Sequence, residues 1–190
     1  MAQSKLTRRG LLVAGGATLG LAACGNGVGM NGASRLDARV DATRDYLFST
    51  YPAVQPMAQN AQGVLYMPLM TEVGLGLGGA YGQGALRIRD ATVDYYSATR
   101  ASVGLQIGAQ QYAHVLIFQS QDALAEFRGA DGWVAQADAF YALPDRGVAM
   151  GVDSVTQQYP VVAMIFGQSG LMAGAAIAGT KYSRIIPSSF

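Results

Sequence analysis

The side chains able to do chemistry are few in this 190-residue chain, which holds one histidine, His114, and one cysteine, Cys24. Zinc sites take three or four His, Cys or carboxylate ligands, so one imidazole and one thiol predict neither metal nor cofactor. His114 lies in the apolar run from Tyr112 to Gln119, where a core-facing imidazole is the plain reading and a general base the alternative. A serine hydrolase needs G-x-S-x-G on a strand-to-helix turn; Gly167-Gln168-Ser169-Gly170 lacks that spacing and runs on into a strand-like glycine repeat. Paired carboxylates are the remaining acid–base option. Asp90 and Asp94 flank an expected turn, Asp131 and Asp145 lie near glycines, Glu72 opens a glycine-rich strand, and Asp138 interrupts an apolar run. None has a partner evident from spacing, and a non-enzymatic protein is expected.

The stretch "EVGLGLGGAYGQG", Glu72 to Gly84, poses a sharper choice, because Gly74, Gly76 and Gly79 satisfy G-x-G-x-x-G and Asp94 follows Gly74 by twenty residues. A dinucleotide site needs a helix beginning within the motif to receive the pyrophosphate. Here "AYGQGALRIR" follows, with two more glycines and then strand alternation. With a period of two, Gly74, Gly76, Gly78, Ala80, Gly82 and Gly84 share one strand face, and Leu75, Leu77 and Tyr81 the other. The pattern recurs: Gly74/Gly78, Gly104/Gly108 and Gly170/Gly174 each open G-L-x-x-G-[GA]. Interior strand glycine is costly, so its concentration predicts close approach by a helix, a crossing strand or a ligand such as an acyl chain.

The elements around these residues begin with "SKLTRRGLLVAGGATLGLAAC", which has a basic head, an apolar run and small residues before Cys24, the layout of an export signal. The run Leu11–Ala23 contains thirteen residues and spans about 20 Å as a helix, short of a ~30 Å bilayer core. Thr7-Arg8-Arg9-Gly10-Leu11-Leu12 resembles a twin-arginine motif, and Leu21-Ala22-Ala23-Cys24 resembles a lipobox. The implied organisation is a cleaved signal peptide over 1–23, a lipidated flexible tether over 24–34 and a single domain over 35–190. Acylation of Cys24 would tether the protein to a membrane without crossing it. Gly25, in place of the aspartate typical of inner-membrane retention, favours the outer membrane. Net charge is +1 for the whole chain and −2 once Lys5, Arg8 and Arg9 are removed, which gives no general attraction to nucleic acid.

Past the tether, Leu36, Val40, Thr43 and Leu47 recur at helical spacing, Ser34 suits the N-cap, and Pro52 marks the end. Three arginines and three aspartates on the polar surface cancel, so this helix is expected to pack on the domain rather than lie on a basic membrane surface. From Gly63 onward short apolar runs alternate with glycine. "GVLYMPLM" reads as a strand with an edge or bulge at Pro68. "ALRIR" and "VDYYSA" suggest a hairpin about Asp90-Ala91-Thr92. "YAHVLIFQ" suits a strand covered on both faces, Ser120 caps a short helix "QDALAEFR" stopped by Gly129, and strands resume at "VAQADAFYAL" and "PVVAMIFG". The expected class is α+β, a mostly antiparallel, barrel-like sheet with an N-terminal amphipathic helix and one short internal helix.

"AQGVLYMP", "EVGLGLGGAYGQGAL", "SVGLQIGAQ" and "SGLMAGAAIAGT" resemble, in content and order, the SYLF family of lipid-binding domains, over roughly Ala58 to Ile186. That resemblance implies a β-rich domain that binds phospholipids, with phosphoinositides or phosphatidic acid as the eukaryotic ligands. The charge-balanced helix departs from the basic one of eukaryotic members, so phosphoinositide specificity is not carried over. Without SH3 or FYVE modules, the cytoskeletal and endosomal partnerships are not carried over either. For head-group binding the candidate cations are Arg87 and Arg89 on one strand face, Arg100 before the second glycine patch, and Lys181 with Arg184 after the third, since guanidinium forks suit phosphate. Trp133, Tyr95 and Tyr96 are core residues with a membrane-interface alternative. The expected partner is a phospholipid membrane, through acylated Cys24 and the domain; the alternative is a scaffold whose acyl anchor is its sole membrane contact.

Overall fold

A computed structural model describes residues 30–136, 141–143, 159–170 and 177–187. Its central feature is a β-ribbon of two long antiparallel strands, β1 (Gly63–Ile88) and β2 (Ala91–Phe118), paired from Gly63↔Phe118 to Ile88↔Ala91. Arg89 and Asp90 alone form the turn, both with positive φ, at 49° and 66°. The turn is therefore tighter than the expected Asp90-Ala91-Thr92. A two-residue loop with both φ positive matches the right-handed twist of the flanking strands, and aspartate tolerates that conformation.

A straight strand of 26 residues would run about 85 Å, far too long for one layer, and β1 does not run straight. Its register with β2 slips between Met67 and Met70, where Pro68 sits as anticipated, and again between Leu75 and Leu77. The ribbon curls over so that the later arm of β1 crosses its earlier arm. At the crossing Gly82 and Gly84 press on the backbone of Leu69 and Tyr66, and a methyl group on Gly82 would lie 2.5 Å from the Leu69 carbonyl oxygen. A methyl on Gly84 would collide with the Tyr66 carbonyl and the Met67 sulfur. In the bend Gly74 pairs with Gly108, whose φ of 145° favours glycine, and Gly76 and Gly104 fall within the second register slip. The face assignment holds at Gly74, Ala80, Gly82 and Gly84, which are buried, while Val73, Leu77 and Tyr81 are exposed. Gly170 ends a strand opposite Gln110; Gly174 lies outside the described residues.

β2 is the spine of a curled half-barrel. Its first half pairs with β6 (Lys181–Ile185) and its second with β5 (Val161–Gly170); β6 pairs with β3 (Trp133–Val134), and β5 with β4 (Tyr141–Leu143). Every pairing is antiparallel except β4 with β5. The α+β, mostly antiparallel reading is thus correct. Ser169 lies within β5 opposite Gln111, on a strand rather than a strand-to-helix elbow.

Residues of β2 alternate between two cores, which is why Tyr112 to Phe118 read as one apolar run. Leu116 and Phe118 join Leu65, Phe127, Trp133 and Tyr182 on one side. Val115 and Ile117 join Val40, Leu47, Met57 and Phe166 on the other. Each large apolar side chain so buried contributes roughly 1.5–3 kcal/mol. The second core is covered by helix α1 (Met30–Thr50) and by α2 (Val54–Asn60). α1 buries Leu36, Val40 and Leu47 as the spacing requires, but it begins before Ser34, which lies inside it rather than capping it. α2 was not expected, because Pro56 masks it; in a first turn, proline costs no helical hydrogen bond. α3 (Gln121–Gly129) starts where Ser120 accepts a hydrogen bond from the Ala123 N–H at 3.2 Å, and closes the first core with Leu124 and Phe127.

Gly84→Ala is expected to destabilise the fold by about 2–3 kcal/mol through overpacking. Gly79→Ala, whose added methyl would meet only the Arg100 carbonyl at 3.4 Å, is expected to change stability by less than about 1 kcal/mol. Urea titration of both variants checks the contrast.

Candidate functional site

Two features gather polar chemistry, one inside the curl and one beneath α1. Inside, Glu72 on β1 is buried and accepts hydrogen bonds from the Arg100 guanidinium and, at 3.0 Å, from Gln110 Nε2. Gln110 lies opposite Glu72 in register, but Arg100 lies opposite Ala80, so the ion pair exists only because the ribbon bends back on itself. Next to it His114 Nε2 shares a 2.8 Å hydrogen bond with the Tyr182 hydroxyl of β6, while Nδ1 has no partner among the described residues. Burial, reinforced by the positive charge of Arg100, lowers the His114 pKa to about 3. Burial also raises Tyr182 well above its usual value. An imidazole held that low is not poised for proton transfer near neutral pH. Glu72, which had no evident partner in the sequence, is one side of a cross-link between the two arms of the ribbon.

Beneath α1 the balanced charges separate. Asp37 accepts hydrogen bonds from Thr92 and Tyr95, each at 2.8 Å, and Asp41 pairs with Arg87 at 2.8 Å. Asp45 pairs with Arg44 at 3.2 Å. All three aspartates therefore serve the flank that faces the β1–β2 turn, and burial together with the Asp37 bond raises Tyr95 to about 12. On the opposite flank Arg35 and Arg39 line a cleft of about 320 Å³ with Leu36, Pro68, Leu69, Thr71, Tyr81 and Gln83. No carboxylate is among the described residues that line it. Leu69 and Tyr81 remain substantially exposed there, so the cleft offers guanidinium groups beside apolar surface. The sequence signal was present in the i,i+4 spacing of Arg35 and Arg39, yet a linear charge count averaged it away.

The candidate head-group cations are dispersed rather than convergent. Arg87 is held by Asp41 and also donates to the Asp90 carbonyl at 3.2 Å. Arg89 sits in the turn, off the strand face it was expected to share with Arg87, and lines a separate cleft of about 390 Å³ with Arg44, Asp45, Phe48 and Asp90. Arg100 is committed to Glu72. Arg184 pairs with Asp94 at 3.3 Å and donates to the Arg128 carbonyl at 2.7 Å, and Lys181 lies exposed on β6 with its stem beside Gly132. Trp133 and Tyr96 are buried among the aromatic rings of the first core. Asp138, Asp145 and Cys24 lie outside the described residues. Among the described residues no group of three or more His, Cys, Asp or Glu is placed to hold a metal, and no helix is long and apolar enough to cross a membrane.

Residues 99–184 match the family model described as Ysc84, Las17-binding protein actin regulator. The resemblance to the SYLF family therefore holds over this stretch, which runs from the first half of β2 through β6, and that family is known for lipid binding and actin regulation. No curated protein matches the chain.

Two stability measurements probe the interior. Below the ordinary histidine value of 6.5 the unfolded chain binds a proton that folded His114, at about 3, refuses. Its contribution is therefore intact above pH 6.5 and falls with acidification toward pH 3, with a limiting slope of about 1.4 kcal/mol per pH unit. Urea titrations of the wild type and His114→Gln from pH 7 to 4 should show the slope difference. Glu72→Gln, which leaves Arg100 buried without a counter-charge, should cost about 3–5 kcal/mol, and pairing it with Arg100→Met should recover most of that loss.

Proposed function

We propose that this chain, whose residues 99–184 carry the Ysc84 (SYLF) match, is a non-enzymatic lipoprotein that binds phospholipid at the periplasmic side of a Gram-negative cell envelope. Acylated Cys24 anchors it, the outer membrane being preferred. The observation that carries the reading is the cleft under α1, where Arg35 and Arg39 stand beside exposed Leu69 and Tyr81. A guanidinium fork suits the phosphate of a lipid head group, and the apolar wall suits the start of an acyl chain. The second reading, a scaffold that touches the membrane only through its acyl anchor, is favoured by one observation: Gly82 and Gly84 pack on the protein's own backbone.

Co-flotation of the full chain carrying Cys24→Ser with vesicles separates the two. The phospholipid reading expects association with phosphatidylglycerol vesicles that exceeds that with phosphatidylcholine. It also expects a several-fold loss on combining Arg35→Gln with Arg39→Gln, and no change in Arg184→Gln. Absence of association across both lipids would leave the scaffold reading. For the anchor, the intact mass of the membrane fraction should correspond to a chain starting at an acylated Cys24; an unacylated chain starting elsewhere refutes it.

A further inference from the structure

The ribbon bend is free of charge over an unusual length. Between Glu72 and Arg87 β1 has no Asp, Glu, Lys or Arg, and neither has β2 after Arg100. At the bend Val73 pairs with Ala109 and Leu77 with Val103, just beyond the crossing of Gly82 over Leu69. Three side chains of β1 there are turned outward: Leu77 is 74% exposed, Val73 54% and Tyr81 52%. Val73 and Leu77 border one shallow depression floored by Gly74, Gly78 and Gly79. These exposures contrast with the complete burial of Val115, Leu116 and Ile117 in β2.

Position selects the occupant. The N-terminal turns of α1 lie against the two arms entering the bend, with Gly32, Arg35 and Arg39 beside Leu69, Thr71 and Tyr81. Cys24 precedes Met30 by six residues, a reach of about 20 Å at most. An acyl group on Cys24 would thus hold this end of the molecule at the membrane surface, while arginines border the apolar apex. Glycines lie between Val73 and Leu77 and floor the depression beside them, a spacing that suits entry between lipid head groups.

We propose that the β1–β2 bend, led by Val73 and Leu77, inserts into the acyl region of a phospholipid bilayer and orients the domain there. The proposal rests on the phospholipid reading above and adds the surface that makes the contact. Insertion is shallow, of the order of 5–10 Å, because among the described residues β1 pairs only with β2, and the backbone groups of its other edge need water.

Cys24→Ser leaves the full chain without cysteine, so Leu77→Cys in that background can carry an environment-sensitive fluorophore. Val134→Cys on β3, 43% exposed, serves as the comparison. With phosphatidylglycerol vesicles the probe at 77 should shift to the blue and be quenched by lipids brominated high on the acyl chain, and the probe at 134 should do neither. In the unlabelled Cys24→Ser chain, Leu77→Asp should lower vesicle association at least five-fold without changing the melting temperature. Co-flotation with no response at 77 overturns the insertion and leaves the phospholipid reading standing. Absence of co-flotation overturns both. A blue shift at 77 that grows with protein concentration in the absence of vesicles assigns the face to a second copy and also overturns the proposal.

Discussion

The crossing of β1 over itself is the constraint on which the rest of the fold depends. Two strand backbones meet at Gly82 and Gly84 closer than any Cβ permits, and only that closeness lets a ribbon of two long strands form a curled sheet instead of an extended blade. The buried ion pair of Glu72 and Arg100 joins the same two arms, and the His114–Tyr182 hydrogen bond ties the second half of β2 to β6. A buried ion pair adds little net stability against an apolar substitute, but it penalises any register in which the partners fail to meet. In a ribbon whose middle is rich in glycine, that penalty helps to select one register.

The curl also sorts the surface. One end of the ribbon closes in the turn at Arg89 and Asp90, near which Arg44, Asp37, Asp41 and Arg87 form a network of alternating sign. The bend at the other end carries no formal charge, and Arg35 and Arg39 of α1 lie beside the arms that enter it. A helix that is neutral by count becomes asymmetric because its aspartates are drawn to the tyrosine, threonine and arginine of the turn side. The opposite flank carries Arg35 and Arg39, which line a cleft with Leu69 and Tyr81.

Much of this architecture was legible in the chain. The period-two glycines, the continuous apolar run of β2, the cap at Ser120 and the spacing of Leu36, Val40 and Leu47 each reflect a local rule acting on neighbouring residues. Two local features run against the same rules. The sequence puts the turn at Asp90-Ala91-Thr92, because arginine seldom accepts the positive φ that Arg89 takes, and Pro56 masks α2. The site was less legible. Arg87, Arg100 and Arg184 resemble free cations in sequence, and each is committed to a carboxylate brought to it by folding. Arg35 and Arg39 were averaged out by aspartates that belong to the other flank.

The sequence by itself determined that no helix follows the glycine motif and that the stretch from Gly74 to Gly84 is a strand with one face reduced to glycine and alanine. These conclusions follow from periodicity, which needs no knowledge of what lies across the fold. Only the tertiary structure decided what approaches the glycines, which is the protein's own strand at Gly82 and Gly84. It also decided which charges neutralise one another, since Glu72 and Arg100 stand 28 residues apart. Contacts between distant segments depend on the path of the bend, and a bend set by register slips and close backbone packing has no signature in composition.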